Sequence, residues 1–204
     1  MADWHAWHED YADPDSALSH RRAAIQRCVR ERLDRGPTRL LSLCAGDGTD
    51  VLGVLRPGDD VRGRLVELDP VLAGRARALA PATIEVITGD AGTTDACVGA
   101  VPADLLLLCG IFGNIADADI LRTVQALPLL CAAGATVVWT RGRKHVWNDD
   151  RDITGMIRGW FADVGCAEEA WIAPDGETWS VGVHRFDGEP QPLVPGQRMF
   201  TFVR

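Results

Sequence analysis

A glycine-containing loop follows an apolar stretch at residues 40–43 and is the first feature of this chain that can do chemistry. Apolar positions compatible with a helix resume at Val51, so the loop lies where a strand would turn into a helix. Glycines at such a turn let the backbone approach a ligand closely and adopt dihedrals that other residues avoid. The loop runs through Ala45, Gly46, Asp47 and Gly48. A glycine-rich turn can equally be structural, so this loop alone does not decide the function.

Two acids follow the next two predicted strands. Glu67 falls at the end of the second strand, where a carboxylate can accept hydrogen bonds from both ribose hydroxyls of an adenosine-type ligand. Asp90 follows the third strand, where a carboxylate can accept a hydrogen bond from an adenine amino group. The neighbouring residues Leu68 and Ala91 are predicted to share these contacts. Asp69 precedes a proline and therefore fits a helix cap better than a ligand contact.

A fourth loop follows the apolar strand predicted at residues 104–109. Ligands of open α/β sheets bind beyond the carboxyl ends of the strands, and this loop lies there beside the glycine loop. Cys109 and Gly110 are therefore predicted to contact the same ligand. Phe112 and Asn114, a little further along, are predicted to line the pocket of a second substrate.

Short apolar strands that alternate with helical segments must position these four loops. The strands are predicted at residues 39–43, 64–68, 84–88, 104–109, 136–140, 169–173 and 178–185. The helices are predicted at residues 16–33, 49–55, 70–80, 117–130 and 153–164. This alternation predicts parallel βαβ units with both faces of the sheet covered. The Pro-Asp-Gly sequence at residues 174–176 predicts that the last two strands form a hairpin.

Length, charge and cysteine content restrict the function further. The 204 residues are predicted to form one α/β domain, with an N-terminal lid and helix at 1–35 and a cofactor-binding core at 36–204. A net charge of −8, with Lys144 as the only lysine, argues against a nucleic-acid partner. We expect no signal peptide, no membrane span and no metal site. Six cysteines without a C-x-x-C pair are typical of buried thiols in a reducing, cytoplasmic setting, and the composition is typical of a bacterial protein.

The order and spacing of the four loops resemble a class I S-adenosylmethionine-dependent methyltransferase over roughly residues 36–186. The resemblance implies a Rossmann-like, seven-stranded, mostly parallel sheet with helices on both faces and an antiparallel C-terminal hairpin. It also implies S-adenosylmethionine as the cofactor, with the glycine loop at its methionine part, Glu67 at the ribose and Asp90 at the adenine amine. The methyl group would then pass to a small-molecule acceptor.

Two positions depart from the pattern of that family. The family usually has an acid at the position of Ser42 and a glycine at the position of Cys44. Ser42 brings no charge to attract the amino group of the cofactor, and Asp47 or Asp50 could compensate for it. We therefore expect the contacts at the methionine end to differ from the family pattern.

Three further parts of the chain are predicted to contribute to the acceptor site, in addition to Phe112 and Asn114. The N-terminal segment is dense in aromatic residues and histidines, and Trp7 and Tyr11 are predicted to contact the substrate, with His8 as a base. Trp4 and Trp7 can instead pack the first helix onto the sheet. His184 is the second predicted base, although a histidine in a strand is more often structural. Arg141, after the fifth strand, can bind a carboxylate substrate through its planar fork.

Other functions stay open at this stage. A protein of this fold can bind S-adenosylmethionine without transferring its methyl group. An NAD-dependent oxidoreductase would need a third glycine where Val51 stands and a Tyr-x-x-x-Lys pair, for which only Lys144 is available. A pure interaction module would leave four ligand loops without a purpose. A monomer and a homodimer are both compatible with the sequence.

Overall fold

A computed structural model describes residues 13–142 and 152–203 of the chain. The strands of this part are β1 (Thr38–Leu43), β2 (Val61–Glu67), β3 (Ile84–Thr88), β4 (Ala103–Leu108), β5 (Cys131–Gly142), β6 (Cys166–Ile172) and β7 (Trp179–Phe186). The helices are α1 (Ala17–Leu33), α2 (Thr49–Leu52), α3 (Pro70–Leu79), α4 (Asp117–Gln125), α5 (Leu127–Leu130) and α6 (Ile153–Asp163), with a 3-10 turn at Thr94–Cys97. No helix within these residues is long and apolar enough to cross a membrane.

The described strands form one sheet in the order β3-β2-β1-β4-β5-β7-β6. Strands β1 to β5 pair in parallel, whereas β7 is antiparallel to both β5 and β6. The predicted seven-stranded, mostly parallel sheet with a closing antiparallel hairpin is therefore confirmed. All five parallel strands end at the same side of the sheet, which we call the carboxyl edge.

Apolar side chains on both faces of the sheet hold the helices in place. The central strand β4 illustrates this, because Leu105, Leu106, Leu107 and Leu108 are all fully buried. Helices α4 and α6 pack on one face through Ile120 and Phe161, and helices α1 and α3 cover the other face. Burying one such leucine or phenylalanine side chain contributes about 2 kcal/mol, so the two apolar layers dominate the stability of the fold.

Local sequence signals set where two of the helices begin. Ser16 precedes α1, and its hydroxyl accepts a hydrogen bond from the Ser19 amide at 3.1 Å. Asp69 precedes α3, and its carboxylate accepts hydrogen bonds from the amides of Val71 and Leu72. These contacts satisfy amides of the first turn that have no partner within the helix. The prediction that Asp69 is a cap is confirmed.

Two predicted helices are shorter than expected. The segment at 117–130 is not one helix, because α4 ends at Gln125 and α5 begins at Leu127. Pro128 has no amide hydrogen to donate and its ring clashes with the preceding helical turn, so the chain must restart the helix around it. The segment at 49–55 is helical only to Leu52, where Gly53 forms the C-cap.

The chain after β7 returns across the sheet, which the sequence did not predict. Residues 197–203, which we call the C-terminal strap, form isolated bridges between Arg198 and Thr93 and between Phe202 and Ile115. Met199 and Phe200 are each 1% exposed and belong to the main apolar core. The strap therefore connects the loop after β3 to the loop after β4.

Two further segments reach the carboxyl edge. Helix α1 ends close to the start of β1, so the helix runs against the parallel strands and begins near the carboxyl edge. The turn between β6 and β7 lies there as well, because Trp179 at the start of β7 pairs with Gly142 at the end of β5. The loops of the sheet, the start of α1 and the hairpin turn thus share one side of the molecule.

Candidate functional site

The glycine loop after β1 makes a tight turn at the carboxyl edge. Gly46 and Gly48 have φ angles of 58° and 76°, in the left-handed region that glycine adopts without strain. Cys44 has a φ of 55°. Among the residues that the structure describes, it is the only one other than glycine with a positive φ. Residue 44, where the family usually has a glycine, therefore keeps the backbone conformation that favours glycine although it is a cysteine in this chain.

Glu67 holds the glycine loop from the end of β2. One carboxylate oxygen accepts a hydrogen bond from the Gly46 amide at 2.8 Å, and the other accepts one from the Asp69 amide at 2.8 Å. A carboxylate can accept about four hydrogen bonds, so each oxygen keeps the capacity for a further donor. Leu68, the next residue, is 66% exposed beside this carboxylate.

Asp47 of the glycine loop and Asp50 in the first turn of α2 have different surroundings. Asp47 accepts hydrogen bonds from the amide and the hydroxyl of Thr49 and thereby stabilises the start of α2. Burial raises the pKa of Asp50 to about 6, and the charge of Arg21 opposes this rise while that of Asp47 adds to it. The positive charges of Arg21 and Arg22 already oppose the effect of burial on Asp50.

Asp90 lies beyond the end of β3 and has two partners. One oxygen accepts a hydrogen bond from the Gly92 amide at 2.7 Å, and the other pairs with the Arg198 guanidinium at 2.6 Å. About half of the Asp90 and Arg198 side-chain surface is exposed. Ala91, the neighbouring residue, is 4% exposed, so its side chain packs into the core while its backbone continues the loop.

The loop after β4 is tied to the end of β5. The Gly110 amide donates to the Thr140 hydroxyl at 2.9 Å, and the Gly110 carbonyl accepts from the Asn114 side-chain amide at 2.8 Å. Arg141 donates a hydrogen bond to the Phe112 carbonyl. The structure thus brings Asn114 and Arg141 together at the carboxyl edge, where both side chains shape this loop. Cys109 is partly buried at the start of the loop.

The Phe112 side chain does not line a pocket, contrary to the prediction. It is fully buried, and its ring centroid lies 5.7 Å from that of Trp139. The loop turns the ring into the apolar layer under the sheet, so that only the backbone of this residue faces Arg141. We therefore correct its role from substrate contact to core packing.

His184 lies inside the sheet rather than at the carboxyl edge. It pairs with Val137 in the middle of β5, is 1% exposed, and stacks on Phe161 with ring centroids 4.4 Å apart. Its Nδ1 accepts a hydrogen bond from the Trp139 indole at 3.2 Å, and burial lowers its pKa to about 4. These observations argue against the predicted role as a base, and we replace it with a structural role.

Three predicted site residues fall in the N-terminal segment. Trp7, His8 and Tyr11 lie outside the residues that the structure describes. Their roles therefore stay predictions.

Sequence reasoning missed a histidine that pairs with a carboxylate at the carboxyl edge. His20, in the first turn of α1, places Nδ1 at 2.7 Å from a carboxylate oxygen of Glu177, in the turn between β6 and β7. The two residues are distant in sequence, so no local pattern marks the pair. The same edge holds no group of three or more potential metal ligands among the residues that the structure describes.

No family model and no curated protein matches the sequence. Solved structures do match the fold. The N-methyltransferase NodS from Bradyrhizobium japonicum is 15% identical, with a TM-score of 0.62 over 88% of this chain and 100% of that chain. An O-methyltransferase family protein from Burkholderia thailandensis is 16% identical, with a TM-score of 0.63 over 83% of this chain and 57% of that chain.

An RNA methyltransferase from Salinibacter ruber, solved in complex with S-adenosyl-L-homocysteine, is a third example. It is 19% identical, with a TM-score of 0.53 over 86% of this chain and 95% of that chain. At these identities the likeness concerns the fold alone. The chain has the Rossmann-like fold that these methyltransferases share.

Proposed function

We propose that this protein transfers the methyl group of S-adenosylmethionine to a small-molecule acceptor. The observation that supports the proposal most is the convergence of the glycine loop, Glu67, Asp90 and the Gly110 loop at one edge of the sheet. These four features come from the ends of four neighbouring strands, where open α/β sheets bind their ligands. A structural role for one loop is common, but it does not explain why acids also stand at the ends of the two neighbouring strands β2 and β3.

The residues present fit the cofactor. A side chain added at Gly89 or at Gly110 would meet nothing within 4 Å, so there is open space beyond the ends of β3 and β4. Glu67 keeps hydrogen-bonding capacity for two ribose hydroxyls, and the exposed Leu68 side chain offers an apolar surface to the adenine ring. We assign the cofactor amino group to an acid beside the start of α2, Asp47 or Asp50, in place of the acid that is missing at Ser42.

When bound, the cofactor supplies a methyl group on a positively charged sulfur, and the acceptor displaces that sulfur directly. The contribution of the protein is mainly to hold the two reactants in line, which can supply several kcal/mol of the barrier reduction. An acceptor with a hydroxyl or an ammonium group must also lose a proton. In this proposal Nε2 of His20 accepts that proton, because the hydrogen bond between Nδ1 and the Glu177 carboxylate fixes the orientation of the ring.

A small molecule is the acceptor class that the chain favours. The net charge of −8 would repel the phosphate backbone of a nucleic acid, and 21 arginine and lysine residues face 29 acids. The structurally similar N-methyltransferase NodS and RNA methyltransferase show that proteins of this fold act on different acceptors. The fold therefore does not decide the acceptor class, and we base the choice on the net charge.

Cofactor binding is tested first, by calorimetry with S-adenosylhomocysteine and with NADH. We expect binding of the first and none of the second; binding of NADH alone would favour the oxidoreductase. Glu67→Ala should weaken S-adenosylhomocysteine binding about 10- to 100-fold, since each hydrogen bond to a charged group is worth about 1.5–3 kcal/mol. Glu85→Ala removes an exposed acid of β3 and serves as the matched control, with unchanged binding expected.

Methyl transfer is tested separately, by measuring S-adenosylhomocysteine release with panels of small hydroxyl, amine, thiol and carboxylate compounds and with RNA. Turnover with a small compound supports the proposal, and turnover with RNA alone would contradict the acceptor class. Tight cofactor binding with no turnover on any panel would favour the alternative of a cofactor-binding protein without methyl transfer.

A further inference from the structure

The C-terminal strap lies against the loop that carries the proposed adenine-binding acid. The amide of Met199 donates to the Gly92 carbonyl at 2.8 Å, and the Thr94 amide donates to the Gln197 carbonyl at 3.0 Å. The Thr94 hydroxyl also bonds to the Val194 carbonyl at 2.7 Å. The backbone on both sides of Arg198 is thus fixed to the loop after β3.

The other end of the strap is fixed to the loop after β4. The Val203 amide donates to the Asn114 carbonyl at 2.9 Å, and the Thr201 amide donates to the Asp119 carboxylate at 2.9 Å. Between these anchors, Phe200 is 1% exposed and meets Phe202 edge-on, with ring centroids 5.8 Å apart. The strap therefore spans the two loops between which the adenine would lie.

Arg198 extends from this fixed backbone to the carboxylate of Asp90. Its Nη1 lies 2.6 Å from Oδ2 of Asp90 and 3.5 Å from the Phe200 carbonyl. The Gly92 amide holds the other carboxylate oxygen at 2.7 Å. Asp90 is thus held from both sides although its side chain is half exposed, and each oxygen retains a lone pair for a further donor.

An exposed ion pair contributes little to folding, typically 0–1 kcal/mol. An ion pair can instead hold a ligand-binding carboxylate in one conformation before the ligand binds. Less conformational entropy is then lost on binding, so the ligand binds more tightly. We propose that Arg198 is a positioning residue that fixes Asp90 in the orientation in which it recognises the 6-amino group of adenine. This inference rests on the proposed function, because it takes Asp90 as the adenine acceptor.

The proposal is tested by calorimetry with two ligands that differ only at carbon 6 of the purine ring. S-adenosylhomocysteine carries the 6-amino group, and its 6-deamino analogue carries a hydrogen in its place. Arg198→Ala should weaken binding of S-adenosylhomocysteine about 3- to 10-fold and leave binding of the 6-deamino analogue unchanged. Arg198→Lys keeps the positive charge and should recover part of the loss. Arg185→Ala is the control, since Arg185 is a similarly exposed arginine paired with Asp187.

The other outcomes would overturn the proposal. Equal losses for both ligands would mean that the strap only shapes the pocket, and tighter binding of S-adenosylhomocysteine would mean that Arg198 competes with the adenine. Unchanged binding of both would mean that Asp90 needs no support. An additive loss when Arg198→Ala is combined with Asp90→Asn would also contradict it. If the unaltered protein bound neither ligand, the proposed function would fail instead.

Discussion

At the scale of single residues, the departure from the family pattern at Cys44 coincides with a strained backbone conformation. Its φ of 55° lies in the left-handed region, where a side chain costs roughly 1–2 kcal/mol. The glycine loop is thus built with strain at a position where the family usually avoids it. Residues held in such conformations cluster at ligand-binding sites, where the surrounding contacts enforce them.

This strain predicts an inverted order of stability at residue 44. At positions with a negative φ, an alanine variant is more stable than a glycine variant, because glycine loses more conformational freedom on folding. Cys44→Gly should nevertheless be as stable as Cys44→Ala or up to about 1 kcal/mol more stable, because only glycine releases the strain. Urea denaturation of both variants measures the difference. At Cys28, which lies in α1, the alanine variant should be the more stable one; the usual order at both positions would contradict the prediction.

At the scale of elements, the sequence predicted those parts of the site that depend on local patterns. Strand ends and caps follow from the apolar runs and from short polar signals, so Glu67 and Asp69 were assigned correctly to an end and a cap. The helix at 117–130 was wrong in one respect, since Pro128 divides it. The direction of Phe112 was also wrong, because a loop side chain is oriented by the tertiary path and not by a period.

The C-terminal strap was missed for a related reason. It has no regular structure, so Met199, Phe200 and Phe202 show no helical or strand period. Its partners, such as Thr93 and Ile115, are far away in sequence. The pair of His20 and Glu177 is likewise formed only by the topology, which brings the start of α1 and the hairpin turn to one edge. Contacts of this kind depend on the whole fold.

Two glycines of the loop after β3 test the strap as an element. A Cβ at residue 92 would lie 2.4 Å from the Phe200 carbonyl, whereas a Cβ at residue 89 would meet nothing within 4 Å. Gly92→Ala should therefore displace the strap and cost about 1–3 kcal/mol of unfolding free energy, as overpacking does elsewhere. Gly89→Ala is the control and should change stability by less than about 1 kcal/mol. Chemical denaturation measures both, and equal values would show that the strap does not pack as described.

At the scale of the whole molecule, the buried layer around His184 couples global stability to pH. The groups that face the imidazole are the Trp139 indole, the Phe161 ring, and the side chains of Glu168 and Arg158. Burial lowers the pKa of His184 from 6.5 to about 4, while the charge of Glu168 opposes this shift and that of Arg158 adds to it. The apolar layer that holds the hairpin onto the sheet therefore accepts only the neutral ring.

The sign of the effect follows from the two states. Between pH 6.5 and 4, His184 is protonated in the unfolded chain but stays neutral in the folded chain. The contribution of the buried neutral imidazole to the free energy of unfolding is therefore complete above pH 6.5 and is lost as the pH falls towards 4. The loss is at most about 1.4 kcal/mol per pH unit, or roughly 3 kcal/mol in all. We expect His184→Asn to be less stable than the unaltered protein at pH 7.5 and to lose less stability between pH 7.5 and pH 4.5. Urea denaturation at the two pH values measures this. An equal loss in His184→Asn and in the unaltered protein would contradict the coupling.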